Sequence, residues 1–459
     1  MTETPGRVAT IRTIVASPIT LWIAFVLLHF WLGMLNLYAP GLPLGDVSIV
    51  YKFWMDQAFV ADYWVGIDSG WVYPIVALVP MIAARLFGPE LYASTWLSLV
   101  MVVDAIAFAW LIGWGRRRQN IDVAWWWLGF LLLLGPIALG RLDSITVPLG
   151  IVAVLLIATR PRAAAVVLTV AAWIKVWPAA IVVAMVVAVR ARWRILASAA
   201  VASLLIIAVA LALGSGFNVF SFVTQQTGRG LQVEAPVATA WLWRARAGFI
   251  DSGVYYDNAI LTWQVRGEGV DVAAAIMTPL LIAVFLAIAL LGVLAIRAGA
   301  QSAEVLAPLA LALVTAFIAF NKVGSPQYIT WLAVPIIFGL VSARSGGLSF
   351  RSPAILVAVL AFLTQLIYPY FYSDLLNLNL IMLFVMSAKN VLLFVLLGWA
   401  VVALWNAARG ATRVAEPEPD LGDRRSARWP LASSQHRDSV DGSGSTAERV
   451  DPAERGRET

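Results

Sequence analysis

Pro18-Ile19-Thr20-Leu21-Trp22-Ile23-Ala24-Phe25-Val26-Leu27-Leu28-His29-Phe30-Trp31-Leu32-Gly33-Met34-Leu35-Asn36-Leu37-Tyr38 is the first of a series of long apolar runs. A helix rises ~1.5 Å per residue, so about 20 such residues cross the ~30 Å hydrocarbon core of a bilayer. The run is too long for a signal-peptide core and lacks a clear small-residue cleavage site, so it reads as a retained helix. Similar runs recur almost throughout the 459 residues, of which 61% are hydrophobic and only 13% charged. A membrane β-barrel would show alternating segments of about 10 residues instead. The fold class that follows is all-α, a polytopic membrane protein.

Arginine orients the chain. Clusters fall at Arg7/Arg12, Arg116–Arg118, Arg160/Arg162, Arg190–Arg194, Arg297, Arg344 and Arg409/Arg413. Cytoplasmic loops carry an excess of Lys and Arg, so one topology should place every cluster inside. It has helices near 16–38, 91–113, 122–140, 144–159, 163–175, 177–190, 195–214, 272–297, 303–320, 327–343, 353–371 and 382–405. That makes 12 crossings, with a cytoplasmic N-terminus over 1–15. Tyr73–Phe87 must then not cross, because crossing would put Arg116–Arg118 outside. Two large outer loops result, 39–90 and 215–271, and Ile174–Pro178 reads as a turn sunk below the outer surface. From about 406 to 459 the chain is rich in Arg, Glu, Asp, Ser and Pro, which predicts a disordered cytoplasmic tail.

Composition narrows the chemistry. There is no Cys, which removes disulfides, thiolate metal sites and thiol nucleophiles. His29 and His436 are far apart in sequence and make no His-rich metal site. No inner segment is long enough for a nucleotide-binding domain, and no Walker-type or GxGxxG run occurs. The basic balance follows from membrane orientation without nucleic acid. Only four lysines occur, Lys52, Lys175, Lys322 and Lys389, and they are expected at or near helix ends on the outer side.

Under this topology Asp46, Arg141, Asp143, Lys175, Arg229, Lys322 and Gln327 reach one membrane face from separate segments. Charges at a bilayer edge are costly unless paired or hydrated, which marks them as site candidates. Asp46 is placed to act as a general base, although it also reads as a cap on a juxtamembrane helix. Arg141 suits a phosphate, with Asp143 holding Arg141 or a sugar hydroxyl. Arg141-Leu142-Asp143 also reads as a local ion pair. Lys175, beside Pro178, offers a compact ammonium to a phosphate or snorkels to the interface. Gly228 and Gly230 permit close approach around Arg229. The stretch Asn321-Lys322-Val323-Gly324-Ser325-Pro326-Gln327-Tyr328 has dense hydrogen-bonding capacity for a turn between helices. Lys389 is a further phosphate contact, at the outer edge if its helix starts near Met386 and deeper if it starts near Asn379. Trp54, Trp64, Trp71 and Trp263 are candidate stacking surfaces for a sugar. Asp56, Asp62 and Asp68 read as solvated or helix-capping.

Asn321-Lys322-Val323 with Ser325, Gln327-Tyr328 and Trp331 resembles a motif of multi-pass mannosyltransferases that use lipid-phosphosugars. It is similar to bacterial glycosyltransferase family 87 and to the catalytic subunit of GPI mannosyltransferase I. Asp46…Tyr51…Tyr73-Pro74, Arg141-x-Asp143, Lys175-x-x-Pro178 and Arg229-Gly230-Leu231-Gln232-x-Glu234 resemble family 87 in the same order. The similarity covers roughly residues 20–400. It implies a GT-C fold, an extracytoplasmic site in the plasma membrane and inverting transfer of a sugar, usually mannose, from a polyprenyl phosphate to a lipid-linked or cell-envelope glycan. On this resemblance Asp46 is the catalytic base. Arg141, Lys175, Lys322 and Lys389 bind the donor phosphate. Tyr51, Tyr73, Asp143, Arg229, Gln232, Glu234, Asn321, Ser325, Gln327 and Tyr328 contact substrate. No cofactor is implied. The Asp-x-Asp pair of some GT-C relatives is absent, and a divalent metal is left open. The Tyr-Pro-Pro of the family stands here as Tyr73-Pro74-Ile75. The competing expectation is a transporter or flippase of a lipid-linked saccharide, which should show a midplane site and related repeats.

Overall fold

A computed structural model describes residues 17–115, 120–225 and 228–415. Its principal helices are α1 (Pro18–Tyr38), α2 (Lys52–Ala61), α3 (Leu78–Ala83), α4 (Tyr92–Leu111), α5 (Ile121–Leu134), α6 (Asp143–Leu156), α7 (Pro161–Ile174), α8 (Ala179–Ala188) and α9 (Arg192–Ala212). They continue with α10 (Thr239–Arg246), α11 (Val270–Arg297), α12 (Ser302–Ala319), α13 (Ala333–Ser342), α14 (Arg351–Gln365) and α15 (Leu380–Ala415). Among the described residues nine helical segments are long and apolar enough to cross a membrane. They are α1, α4, α9, α11, α12, α15, and the regions of α5, α13 and α14 lengthened by short turns to Ile121–Ala138, Pro326–Ser345 and Arg351–Tyr370. All the expected apolar segments are helical, but α6, α7 and α8 have only 14, 14 and 10 residues. At ~1.5 Å per residue they fall short of a ~30 Å core.

Burial separates two kinds of helix. In α9 and α11 the most apolar windows have mean hydropathy 2.7 and 2.9, yet only 17% of each is buried. An apolar helix that leaves its surface outside the protein is solvated by lipid. In α12 the buried share is 78%. This helix packs against α8, α11, α13 and α15, and forms the middle of the bundle. Nearly all of α6 is buried as well, between α4, α7 and α13.

The breaks between helices position the polar residues. Tyr73–Phe87 holds one 3₁₀ turn and the six-residue α3, about 9 Å of helix, too short to cross. Lys175 ends α7 in extended backbone, and Pro178 leads into α8, so the chain does turn over Ile174–Pro178. The second long loop is more ordered than expected. It contains α10 and an antiparallel hairpin, β1 (Gly253–Asp257) with β2 (Thr262–Arg266), paired Tyr255 to Gln264. Leu231–Val233 lies along β2, where Val265 N–H donates to the Leu231 carbonyl and Val233 N–H to the Trp263 carbonyl.

Two expectations change here. The helix expected to end at 405 continues as α15 to Ala415, so 406–415 is not part of a tail. Asn379 accepts from the N–H groups of Ile381 and Met382 and starts that helix. Lys389 therefore lies about 14 Å along α15, the deeper alternative, rather than at a helix end. The N-terminal segment 1–15, Arg116–Arg118, and the tail from 416 lie outside the described residues.

Candidate functional site

Arg141 occupies the turn between α5 and α6 and is buried. Its Nε lies 2.9 Å from Asp46 Oδ2. Its Nη1 donates to the carbonyls of Pro43 and Gly140 at 2.8 and 2.7 Å, and its Nη2 donates to Tyr368 Oη at 3.3 Å. Backbone carbonyls thus fix the guanidinium plane. Gly140 makes the approach possible, since a Cβ there would sit 2.9 Å from the Pro43 carbonyl oxygen. Asp46 begins a π-helical turn, Asp46–Tyr51, that runs into α2. Its side chain is 40% exposed against 8% for Arg141, so the carboxylate is held on one side and open on the other.

This corrects one expectation. Asp143 does not hold Arg141. Asp143 Oδ2 accepts from Lys175 Nζ at 2.6 Å, and its Oδ1 accepts from Trp331 Nε1 at 2.5 Å. Residues 141 and 143 flank the start of α6 and serve different partners. Lys175 also lies over the rings of Tyr73, Tyr328 and Trp331 at 5.8, 5.2 and 5.9 Å. Trp331 stacks on Tyr328 and Trp177, and Trp177 Nε1 donates to Thr146 Oγ1 on α6. The ammonium is thus held by one carboxylate inside an aromatic cage.

A second group forms where the two long connections meet. Gln232 N–H donates to the Lys322 carbonyl at 3.1 Å. Gly324 lies so close to Glu234 and Ala235 that a Cβ there would be 2.1 Å from the Ala235 nitrogen. Glu234 and Lys389 form a buried ion pair at 3.3 Å, with side chains only 4% and 8% exposed. Burial pushes the Glu234 carboxyl above the usual range, against the opposing pull of Lys389 and Arg141. Lys322 is buried, and burial together with the neighbouring Arg229 lowers its ammonium below the ordinary lysine range. Gly230 abuts the Gln264 side chain, whereas Gly228 has open space around it.

The two groups are joined. Tyr51, buried, touches Tyr73 and Trp54, and Asp46 and Arg141 both act on it electrostatically. Arg141 also acts on Glu234, and Arg229 acts on Tyr328. Asp46, Tyr51, Tyr73, Arg141, Asp143, Lys175, Tyr328, Arg229, Gln232, Glu234, Lys322 and Lys389 are therefore one connected patch. Three predicted residues serve locally. Asn321 Oδ1 accepts from Val323 N–H, Ser325 precedes the 3₁₀ turn Pro326–Leu332, and the buried Gln327 accepts from Thr330 through its carbonyl.

Among the nearby acids, Asp56 is half-exposed, but it is ion-paired rather than a cap. It pairs with Lys52 and Arg85. Burial would raise its carboxyl, but these two cations outweigh it and hold it low. Asp62 accepts from Trp64 Nε1, and Asp68 from the Trp64 backbone N–H. Trp54 and Trp71 pack edge to face with each other and with Tyr73, Trp64 packs on Phe59, and Trp263 on Tyr256. His29 pairs with Asp104 at 3.0 Å, sealed between α1 and α4. Among the described residues no group of three or more His, Asp or Glu is placed to hold a metal.

Sequence reasoning missed two site residues. Trp331 stands in the Asn321–Trp331 motif with no contact that the motif assigns, and Tyr368 lies outside every motif. The signal for Tyr368 was present, because Tyr368-Pro369-Tyr370 interrupts an apolar run. No protein-family model, curated protein or solved structure matches this chain.

Proposed function

We propose that this protein is an integral-membrane glycosyltransferase. It moves a sugar, with mannose the first candidate, from a polyprenyl phosphate to a glycan or glycolipid acceptor at the extracytoplasmic face. The observation that carries the reading is the Asp46–Arg141 pair, a half-open carboxylate beside buried cations in an otherwise apolar helical bundle. In this reading Asp46 takes the proton of the acceptor hydroxyl as that oxygen attacks the anomeric carbon. The donor phosphate leaves from the opposite face, which inverts the centre. Lys322 and Arg229 stabilise the charge on the departing phosphate, where fixed cations in a poorly hydrated site lower the barrier most. Lys175, already satisfied by Asp143 and three rings, holds the aromatic wall formed by Tyr73 and Tyr328 in register. The polyprenyl tail lies in the bilayer beside the bundle that holds the charged patch.

The test is transfer by purified protein from labelled polyprenyl-phosphate-mannose to a membrane glycolipid extract. Labelled glycolipid should appear only with donor, acceptor and intact Asp46 together. Movement of a lipid-linked saccharide across a reconstituted vesicle, with no transfer from mannosyl, glucosyl or arabinosyl donors, would instead establish the transporter.

A further inference from the structure

Lys322 follows one end of α12, and a separate cleft lies at the other. It has a volume of about 880 Å³, within the range of small-molecule sites. Its walls are the α11–α12 turn, Leu348 and Ser349 ahead of α14, and one face of α15 from Trp399 to Gly410. That stretch of α15 rises about 16 Å, enough for a lipid headgroup with the upper part of its acyl chains. None of the residues assigned above lines it.

The lining is chemically uneven. Trp399, Val402 and Ala403 are apolar, whereas Gln301, Glu304 and Asn406 carry oxygen acceptors. Glu304 is the one charged group of the lining, and among the described residues no ion pair reaches it. Arg297 and Arg409 stand next in sequence to the lining residues Ala298 and Gly410. Apolar walls at the end of a lipid-solvated bundle select an acyl chain. A lone carboxylate with two amide oxygens selects a cation that can donate hydrogen bonds. Neither arginine lines the cleft, and the Arg409 guanidinium lies 4.7 Å over the ring of Trp405, so the headgroup is chosen by the Glu304 carboxylate.

We propose that this cleft binds a phospholipid whose headgroup ends in a primary ammonium, taken from the leaflet at the arginine-rich end. A primary ammonium offers three N–H donors to Glu304, Gln301 and Asn406. A quaternary ammonium has none, and a glycerol headgroup leaves its phosphate beside Glu304 with no cation of its own. This site stands independently of the transferase reading.

The full chain in detergent is offered equal amounts of phosphatidylethanolamine, phosphatidylcholine and phosphatidylglycerol with matched acyl chains, and retained lipid is read by native mass spectrometry. Phosphatidylethanolamine should exceed the other two by about tenfold, the scale of one charge-assisted hydrogen bond. Glu304→Gln should bring it down to the phosphatidylcholine level, and Asn406→Leu should lower it in part. Ala403→Trp, which fills the cleft, should remove one bound lipid whatever its headgroup. Circular dichroism and thermal melting confirm that each variant is folded, and Asn406→Leu keeps the test open if Ala403→Trp is not. Equal retention of the three lipids, a preference for phosphatidylglycerol, or a phosphatidylethanolamine preference that survives both Glu304→Gln and Asn406→Leu would overturn the proposal. So would an unchanged lipid count in folded Ala403→Trp.

Discussion

Arg141 and Asp46 meet at 2.9 Å across 95 residues of chain, and the buried partner is the cation. Its guanidinium is fixed by two backbone carbonyls and a tyrosine, so the carboxylate is positioned by a group that has little freedom to follow it. A carboxylate held in this way keeps its orientation while its other side stays open, as the proposed role of base requires.

Asp46→Asn nearly preserves shape and removes the proton acceptor. Turnover should fall by about two to four orders of magnitude, with donor affinity largely kept. Single-turnover kinetics beside an equilibrium donor titration separate the two effects. Asp56→Asn should retain chemistry, because Asp56 is already committed to Lys52 and Arg85. A dead Asp56→Asn beside a near-normal Asp46→Asn would reverse the assignment.

Lys322→Ala should weaken donor binding by about ten- to a hundredfold, the range for hydrogen bonds to charged groups. Its pH dependence gives a sharper check. Phosphate binding needs the ammonium, and burial beside Arg229 lowers the ammonium's pKa. Binding should therefore be lost as pH rises, with the loss beginning below the ordinary lysine value of about 10.4. Lys322→Arg should move that loss to higher pH. A profile that is flat, or the same in Lys322→Arg, removes Lys322 from the phosphate.

Asp143→Ala leaves the Lys175 ammonium caged among rings without its carboxylate. Breaking a buried ion pair in this way costs about 3–5 kcal/mol, read as a large drop in melting temperature in detergent. The double variant Asp143→Asn/Lys175→Met should recover much of that loss. Trp331→Phe, which loses only one donor to Asp143, should cost less than Asp143→Ala. Equal stability of wild type and Asp143→Ala would show that the pair does not hold the core.

Gly324→Ala places a methyl group where the Glu234–Ala235 backbone lies. The contact between the second long loop and the turn after α12 should open. The expected readout is faster proteolysis within 228–271 and weaker donor binding, with the rest of the bundle intact. Unchanged cleavage kinetics would show that the loop docks by other means.

The chain has no cysteine, so single cysteines report cleanly. The arginine distribution predicts that Phe217→Cys reacts with an impermeant thiol reagent in intact spheroplasts and that Ser345→Cys does not. Both positions are exposed, Phe217 at 94%, so silence reflects sidedness rather than burial. The opposite pattern would invert the bundle and take the proposed site off the outer face.

Sequence by itself determined the membrane class and the positions of the apolar segments, because a run of about 20 apolar residues has few other stable states in water or lipid. It also picked out the polar residues that gather into one patch, since charges placed at helix ends in such a chain are few and costly. It did not determine who pairs with whom. Arg141-Leu142-Asp143 reads as a local pair, but the turn into α6 sends the two side chains apart, one to Asp46 and the other to Lys175 and Trp331. The depth of Lys389, the hairpin in the second loop and the role of Tyr368 were likewise decided by tertiary packing. Tyr368 meets Arg141 across 227 residues of chain, the depth of Lys389 follows from where its helix is capped, and the hairpin pairs two short strands with no long apolar run, so none of the three is encoded in local hydropathy.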